Sequence, residues 1–229
     1  MLVGDFVNYI SVAIDGPAGA GKSSISKELA KRLNYIYVDT GAIYRALAYT
    51  SINLGYDTKR DLESISNLAN KCEIELKYIC GVQHIFIDGN DVTDFIRTPE
   101  VSKGASDVSA IPKVRDALLS IQRNIAKNNN VLMDGRDIGT VVLPDATIKI
   151  FLTASIDERA KRRYKEMAEK GVECKIEDIK ADIAYRDEQD SSRPVAPLKP
   201  AEDSVIFDNS NYTFGESVEY LYKLIKENV

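Results

Sequence analysis

Gly16 to Ser23 reads GPAGAGKS, which matches the pattern G-x-x-x-x-G-K-[ST] at every position. Here Gly16, Gly19 and Gly21, with the small residues Pro17, Ala18 and Ala20 between them, let backbone N–H groups curl around phosphate oxygens without Cβ clashes. A helix that follows turns its positive end toward the same oxygens. Lys22 then reaches the β- and γ-phosphates, and the Ser23 hydroxyl is placed to ligate Mg²⁺. Asp134 closes the apolar run Val131-Leu132-Met133, where an acid positions the same ion directly or through water. Together these residues make a nucleoside-triphosphate site.

A second set of residues suits an acceptor. In DGRDIGTVVLPDA, Asp134 to Ala146, Arg136 and Asp137 put a guanidinium fork and a carboxylate on one loop, a pair able to hold a phosphate and a base edge. In DTGAIYR, Thr40 is the expected N-cap and Arg45 lies one turn into the helix, aimed at an anion. Arg159, Arg162 and Arg163 share a helix face at i, i+3 and i+4. That face is either a solvated salt-bridge surface or a mobile lid whose arginines neutralise charge during phosphoryl transfer. Near the far end, YRDEQDSSRPVAPLKP spaces Arg186, Asp190 and Arg193 by four and three, compatible with one helical face. Cations flanking a carboxylate suit a phosphosugar, and Pro194 to Pro200 stiffens the exit.

These groups need a scaffold, and the chain supplies one. Its 229 residues, 44% hydrophobic and 28% charged, fit one soluble α/β domain with an insertion. A net charge of −5 argues against coating a nucleic-acid polymer or an anionic membrane, so a bound anion must meet a local basic cluster. No apolar run approaches the roughly 18 residues of a membrane span. The start, MLVGDFVNYISVAIDG, lacks the pattern of a secretory signal, and Cys72, Cys80, Cys174 and the single His84 form no zinc pattern. A reducing cytoplasm is the expected location.

Short β-rich runs alternate with helical patterns, which predicts a central parallel sheet flanked by helices. Strands are expected at Tyr9 to Ile14, Tyr35 to Val38, Asn130 to Gly135, Thr147 to Ala154 and Ser204 to Ser210. Helices are expected after the glycine-rich loop and over AIYRALAYTSINLG, Asp157 to Lys170, Lys175 to Asp187 and Gly215 to Asn228. CEIELKYI and VQHIFID, with turns at Cys80-Gly81 and Gly89-Asn90, break the rhythm and predict a small β insertion. The Met1 to Asn8 extension has no derivable role.

IDGPAGAGKSS, VDTGAIYR, IRTPEVSKGAS, VRDALL, DGRDIGTVVLPDA, ERAKRR and YRDEQDSSRPVAPL appear in an order that resembles bacterial-type cytidylate kinase, from about Ile14 to Asp208. The resemblance implies the P-loop nucleoside monophosphate kinase fold as one domain over 1–229. It also implies an acceptor-side β insertion near 72–98 and a helical lid near 157–175. It implies ATP-dependent phosphorylation of CMP and dCMP by a monomer with Mg²⁺. It places Ser106, Arg115 and Asp137 around the cytosine, and Arg45, Arg136 and Arg193 near the acceptor phosphate, with Thr40 standing where relatives carry a serine. Arg186 and Asp190 fall near the sugar. GKSS stands where many relatives carry GKGT, so Ser23 or Ser24 is the metal-side hydroxyl.

Catalysis in such a site is positioning and charge neutralisation, with Lys22, Arg136, Arg159, Arg163 and Arg193 as the countercharge. Two other readings stay open: a kinase for a different small acceptor, and a slow nucleotide-dependent switch. The chain has no D-x-x-G, and its nearest N-K-x-D is NKCE, Asn70 to Glu73, which leads into a strand. Both facts argue against the switch.

Overall fold

The computed structural model describes residues 9–169 and 171–229; the Met1 to Asn8 extension lies outside the described residues. Strand β1 (Ser11–Asp15) leads through the glycine-rich loop into α1 (Lys22–Leu33), and β2 (Ile36–Asp39) leads into α2 (Thr40–Asn53) and α3 (Leu62–Lys71). Three short strands follow, β3 (Ile74–Ile79), β4 (Val82–Ile87) and β5 (Asn90–Asp91), then α4 (Pro99–Ser109) and α5 (Pro112–Lys127). The chain returns to the main sheet with β6 (Val131–Gly135), a π-helical turn (Ile138–Val142) and β7 (Ile148–Thr153). It ends with α6 (Ile156–Glu169), α7 (Ile176–Ser192), β8 (Val205–Asp208) and α8 (Phe214–Glu227).

The main sheet has the order β2-β6-β1-β7-β8, and every pairing is parallel. Central strands of such a sheet are covered on both faces, which explains why Val12, Ala13 and Ile14 of β1 and Val131, Leu132 and Met133 of β6 are all apolar and fully buried. One face packs on α1 and α8 through Ile25, Leu29, Leu221 and Ile225. A second core, built on Ile43, Leu47, Ile65, Val108 and Leu118, joins α2, α3, α4 and α5 to the antiparallel sheet β3-β4-β5. A further, small one ties α6 to α7 through Ala160, Ile179 and Ile183.

The chain reverses sheet direction around β1, since β2 and β6 lie to one side of it and β7 and β8 to the other. The carboxyl ends of strands at such a switch point form the crevice where open α/β sheets bind ligands. The glycine-rich loop leaves β1 at that point. This is the P-loop kinase arrangement expected from the sequence.

Several boundaries differ from expectation. Helices α3, α4 and α5 were not marked by the sequence reading, although Pro99 and Pro112 each sit in a first turn where proline is well suited. Asp39, not Thr40, is the N-cap of α2: its carboxylate accepts from Ala42 N at 3.0 Å, and Thr40 is already the first helical residue. Helix α7 runs on to Ser192, five residues past Asp187, so Arg186 and Asp190 are helical while Arg193 caps the end with an extended backbone. Lys170, the expected last residue of α6, lies outside the described residues.

Candidate active site

The phosphate end is assembled from backbone. Gly16 adopts φ +148°, and a Cβ there would stand 1.9 Å from the carbonyl oxygen of Leu152 on β7. Only glycine lets the loop cross the sheet end so closely. Gly21 precedes α1 in a left-handed conformation and offers no side-chain cap, so the first N–H groups of α1 remain free for an anion. Lys22 is buried and its ammonium donates to the Pro17 carbonyl at 2.7 Å, folding the lysine back across its own loop. Burial, and then the nearby Arg136 charge, pull the Lys22 pKa well below its ordinary value. The lysine is therefore poised to gain from an incoming phosphate.

Beside it, the Ser23 hydroxyl donates to Asp134 Oδ2 at 2.7 Å and the Tyr37 phenol donates to Oδ1 at 3.0 Å. Asp134 is 3% exposed, and burial, followed by the Asp39 charge, raises its carboxyl to about 6. A buried acid whose hydrogen bonds come from neutral hydroxyls, and whose charge Lys22 offsets only in part, fits a hard divalent cation shared with nucleotide phosphates. Ser24 is exposed and makes no such contact, so Ser23 is the hydroxyl the geometry favours. Among the described residues no group of three or more His, Cys, Asp or Glu side chains could hold a metal alone. An ion here would depend on the nucleotide for most of its ligands.

Arg159 and Arg162 were expected to line one helix face, and both meet the phosphate loop. Arg159 is buried; its guanidinium donates to Ala154 O at 2.9 Å and Ala18 O at 3.0 Å and pairs with Asp187 at 2.7 Å. Arg162 donates to the side chain and carbonyl of Asn209 at 2.9 and 2.8 Å, and Asn209 in turn reaches Ala20 O at 3.2 Å. Arg163 instead pairs with Glu166 at 2.8 Å. It stays close enough to Arg186 to depress that residue's pKa.

The acceptor end is assembled from side chains of several elements. Arg136 donates to Asp190 at 2.7 Å, joining the loop after β6 to α7. Arg45 and Arg97 both donate to Asp39 Oδ2, at 2.7 and 3.2 Å. Burial works against ionisation of Asp39, but these two guanidiniums outweigh it and hold the carboxyl below its ordinary value. Burial, then Arg136, Arg45 and Arg163, lower Arg186 to about 10. The Nε of Arg45, the Nε of Arg186 and Nη2 of Arg193 are buried without a hydrogen-bond partner among the described residues. Nη2 of Arg193 lies 3.5 Å from Asp137 Oδ1, an ion-pair distance without hydrogen-bond geometry. Buried donors are rarely left unmade. Three of them beside neighbouring guanidiniums make a setting that suits an anion.

Deeper in, Asp137 pairs with Arg115, whose guanidinium also donates to Ser109 O at 3.2 Å and lies 5.6 Å from the Tyr44 ring centre. Ser106 is half-buried on α4, and its carbonyl accepts from the Ser109 hydroxyl. The Thr40 hydroxyl donates to Asp134 O at 2.8 Å, so it ties α2 to β6 directly.

Several residues here were missed by the sequence reading. Asp39 and Arg97 join the arginine cluster through Arg45, and Tyr37 donates to Asp134. Asp15 is buried at the end of β1 and accepts Ile138 N at 2.8 Å and Gly139 N at 2.7 Å, which fastens the Arg136 loop to the phosphate-loop strand. Its one signal was an acid closing the apolar run SVAID.

The family model described as Cytidylate kinase matches residues 12–227. A cytidylate kinase of Caldicellulosiruptor saccharolyticus is 49% identical over 224 residues, covering 96% of this chain and 99% of that one. One of Streptococcus agalactiae is 50% identical over 222 residues, covering 96% of each. A solved structure of an uncharacterized protein from Eubacterium ventriosum shares the fold, with TM-score 0.51 at 12% identity over 95% of this chain and 98% of that one. With near-full-length matches at about half identity added to a phosphate loop facing an arginine cluster, this chain belongs to the cytidylate kinase family.

Proposed function

We propose that the chain transfers the γ-phosphoryl group of ATP in line to the phosphate of CMP or dCMP, giving ADP and the nucleoside diphosphate. The observation that carries this is the set of buried guanidinium nitrogens of Arg45, Arg186 and Arg193 without a hydrogen-bond partner among the described residues, with Arg136 near both Arg186 and Lys22. A hydrolase needs no such second anion site.

The acceptor phosphate is itself the nucleophile and already carries charge, so the reaction needs positioning more than a general base. Arg45, Arg136 and Arg193 hold that phosphate, and Arg186 with Asp190 meets the sugar. Asp137 accepts from the exocyclic amine of cytosine, with Arg115 and Ser106 beside it; the carbonyl of uracil at that place repels the same carboxylate. Gly16 to Ser24 cradle ATP, and Lys22 with Arg159 and Arg163 adds countercharge. Ser23 and Asp134 would hold Mg²⁺, which when bound neutralises charge on the β- and γ-phosphate oxygens. Movement of the segment from Arg159 to Gly171 over the site excludes water.

The test is product identity. With ATP, Mg²⁺ and CMP, chromatography should show CDP and ADP rising in equal amounts. ADP without CDP would mean transfer to water and would refute the reading.

A further inference from the structure

Tyr37 belongs to none of the roles above, yet it touches the metal-side acid. Parallel pairing sets Tyr37 of β2 opposite Leu132 and Asp39 opposite Asp134, so Tyr37 and Asp134 are diagonal neighbours on one sheet face. That diagonal brings the phenol to Asp134 Oδ1 at 3.0 Å while Ser23 holds Oδ2 at 2.7 Å. The backbone of Tyr37 is braced in turn, because its carbonyl accepts from the Tyr78 phenol of β3 at 2.9 Å.

We propose that Tyr37 is a positioning residue for metal binding: its phenol fixes the rotation of the Asp134 carboxylate, so that one oxygen is tethered to β2 and the other stays directed at Ser23. This rests on reading Asp134 and Ser23 as the metal-side pair. A ligating carboxylate needs such an outer partner to hold its face. A buried carboxylate has room for about four hydrogen bonds, and among the described residues the donors on the Asp134 carboxylate are the Ser23 and Tyr37 hydroxyls. If Ser23 turns its lone pair to an arriving ion, Tyr37 remains as the donor that keeps Asp134 from swinging.

The test is Tyr37→Phe, which keeps the ring and deletes the donor. ATP is titrated calorimetrically into wild type, Tyr37→Phe and Asp134→Asn, once with Mg²⁺ and once with EDTA, and the ratio of the two affinities is the readout. CMP affinity and the melting temperature are measured alongside. Wild type should bind ATP more tightly with Mg²⁺. In Tyr37→Phe that ratio should fall about tenfold, as outer-shell losses do, with EDTA affinity, CMP affinity and melting temperature unchanged. A ratio in Tyr37→Phe indistinguishable from wild type overturns the proposal. So does an equal loss with and without the ion, which is the mark of a merely structural tyrosine. If wild type itself shows no Mg²⁺-dependent gain, the fault lies earlier, in the metal reading of Asp134 and Ser23.

Discussion

Under the proposed function, the donor and acceptor ends of this crevice would hold anions by different means. At the donor end the binding groups are backbone N–H donors, shaped by glycine torsions and one helix terminus, with Lys22 the main side chain. At the acceptor end they are guanidiniums drawn from α2, α5, α7, the residue that caps it, and the loop after β6, and a carboxylate steadies three of these arginines closely: Asp39 holds Arg45, Asp190 holds Arg136 and Asp137 holds Arg115. Backbone cradles tolerate any triphosphate of the right shape. Paired side chains read identity, because a wrong acceptor leaves buried charges unmatched. On that reading the difference predicts where specificity lies: general phosphate binding at one end, discrimination at the other.

Mutations sharpen or break that contrast. The largest expected effect is at the acceptor end. Arg136→Ala should lower kcat by about 10²- to 10³-fold, equivalent to roughly 3–4 kcal/mol, because it removes a donor aimed at developing charge. The fold should survive, since Arg136 is only half-buried and lies in a loop. Steady-state rates at saturating CMP decide this, and unchanged turnover would remove Arg136 from catalysis. At the donor end the vulnerable feature is conformation. Gly16→Ala places a Cβ 1.9 Å from Leu152 O, so urea denaturation should show a loss of about 3 kcal/mol, felt as instability before any question of substrate choice arises.

Between the two ends, Asp134→Asn should separate activity from stability. The folded-state pKa of Asp134 is raised from 3.8 to about 6, so the native state holds this proton more tightly and the ionised carboxylate is penalised above that value. The neutral variant escapes the penalty. Ligand-free Asp134→Asn should be more stable than wild type by about 3 kcal/mol near pH 8, with the gain vanishing near pH 4, and should lose Mg²⁺-dependent activity. Thermal melts at the two pH values check the sign; a variant less stable at the higher pH would contradict it. The smallest effect belongs to Arg97→Ala. This exposed guanidinium shares Asp39 with Arg45, so the KM for CMP should rise about fivefold, roughly 1 kcal/mol, with kcat little changed.

The same contrast explains what could be read from the chain. The donor end is contiguous, and its spacing follows directly from loop geometry, so Gly16 to Ser23 was legible letter by letter. The five parallel strands were legible too, the central ones because burial on both faces makes them apolar runs bounded by turns. Helices α4 and α5 were not marked, although each opens on a proline: their apolar positions face the second core, a partner that local periodicity does not announce. Asp39 was overlooked because Thr40 is an equally good cap by type, and only the fold decides which carboxylate Arg45 and Arg97 can reach. Tyr37 and Asp134 are diagonal only through strand register, which no local pattern reveals. Arg159 illustrates the reverse case. Its helical spacing suggested one face shared with Arg163, yet the fold binds Arg159 to Ala18 O and leaves Arg163 with Glu166.

The central claim is that the acceptor end recognises a cytosine monophosphate, and the most direct measurement is ADP formation from ATP and Mg²⁺ with CMP, dCMP, UMP, AMP or no acceptor in parallel. Fast ADP production with CMP and dCMP, and little with the others, is the predicted result. Equal stimulation by AMP or UMP would contradict the assignment of Asp137, Arg115 and Ser106 to the base, and no stimulation by any acceptor would contradict the account as a whole.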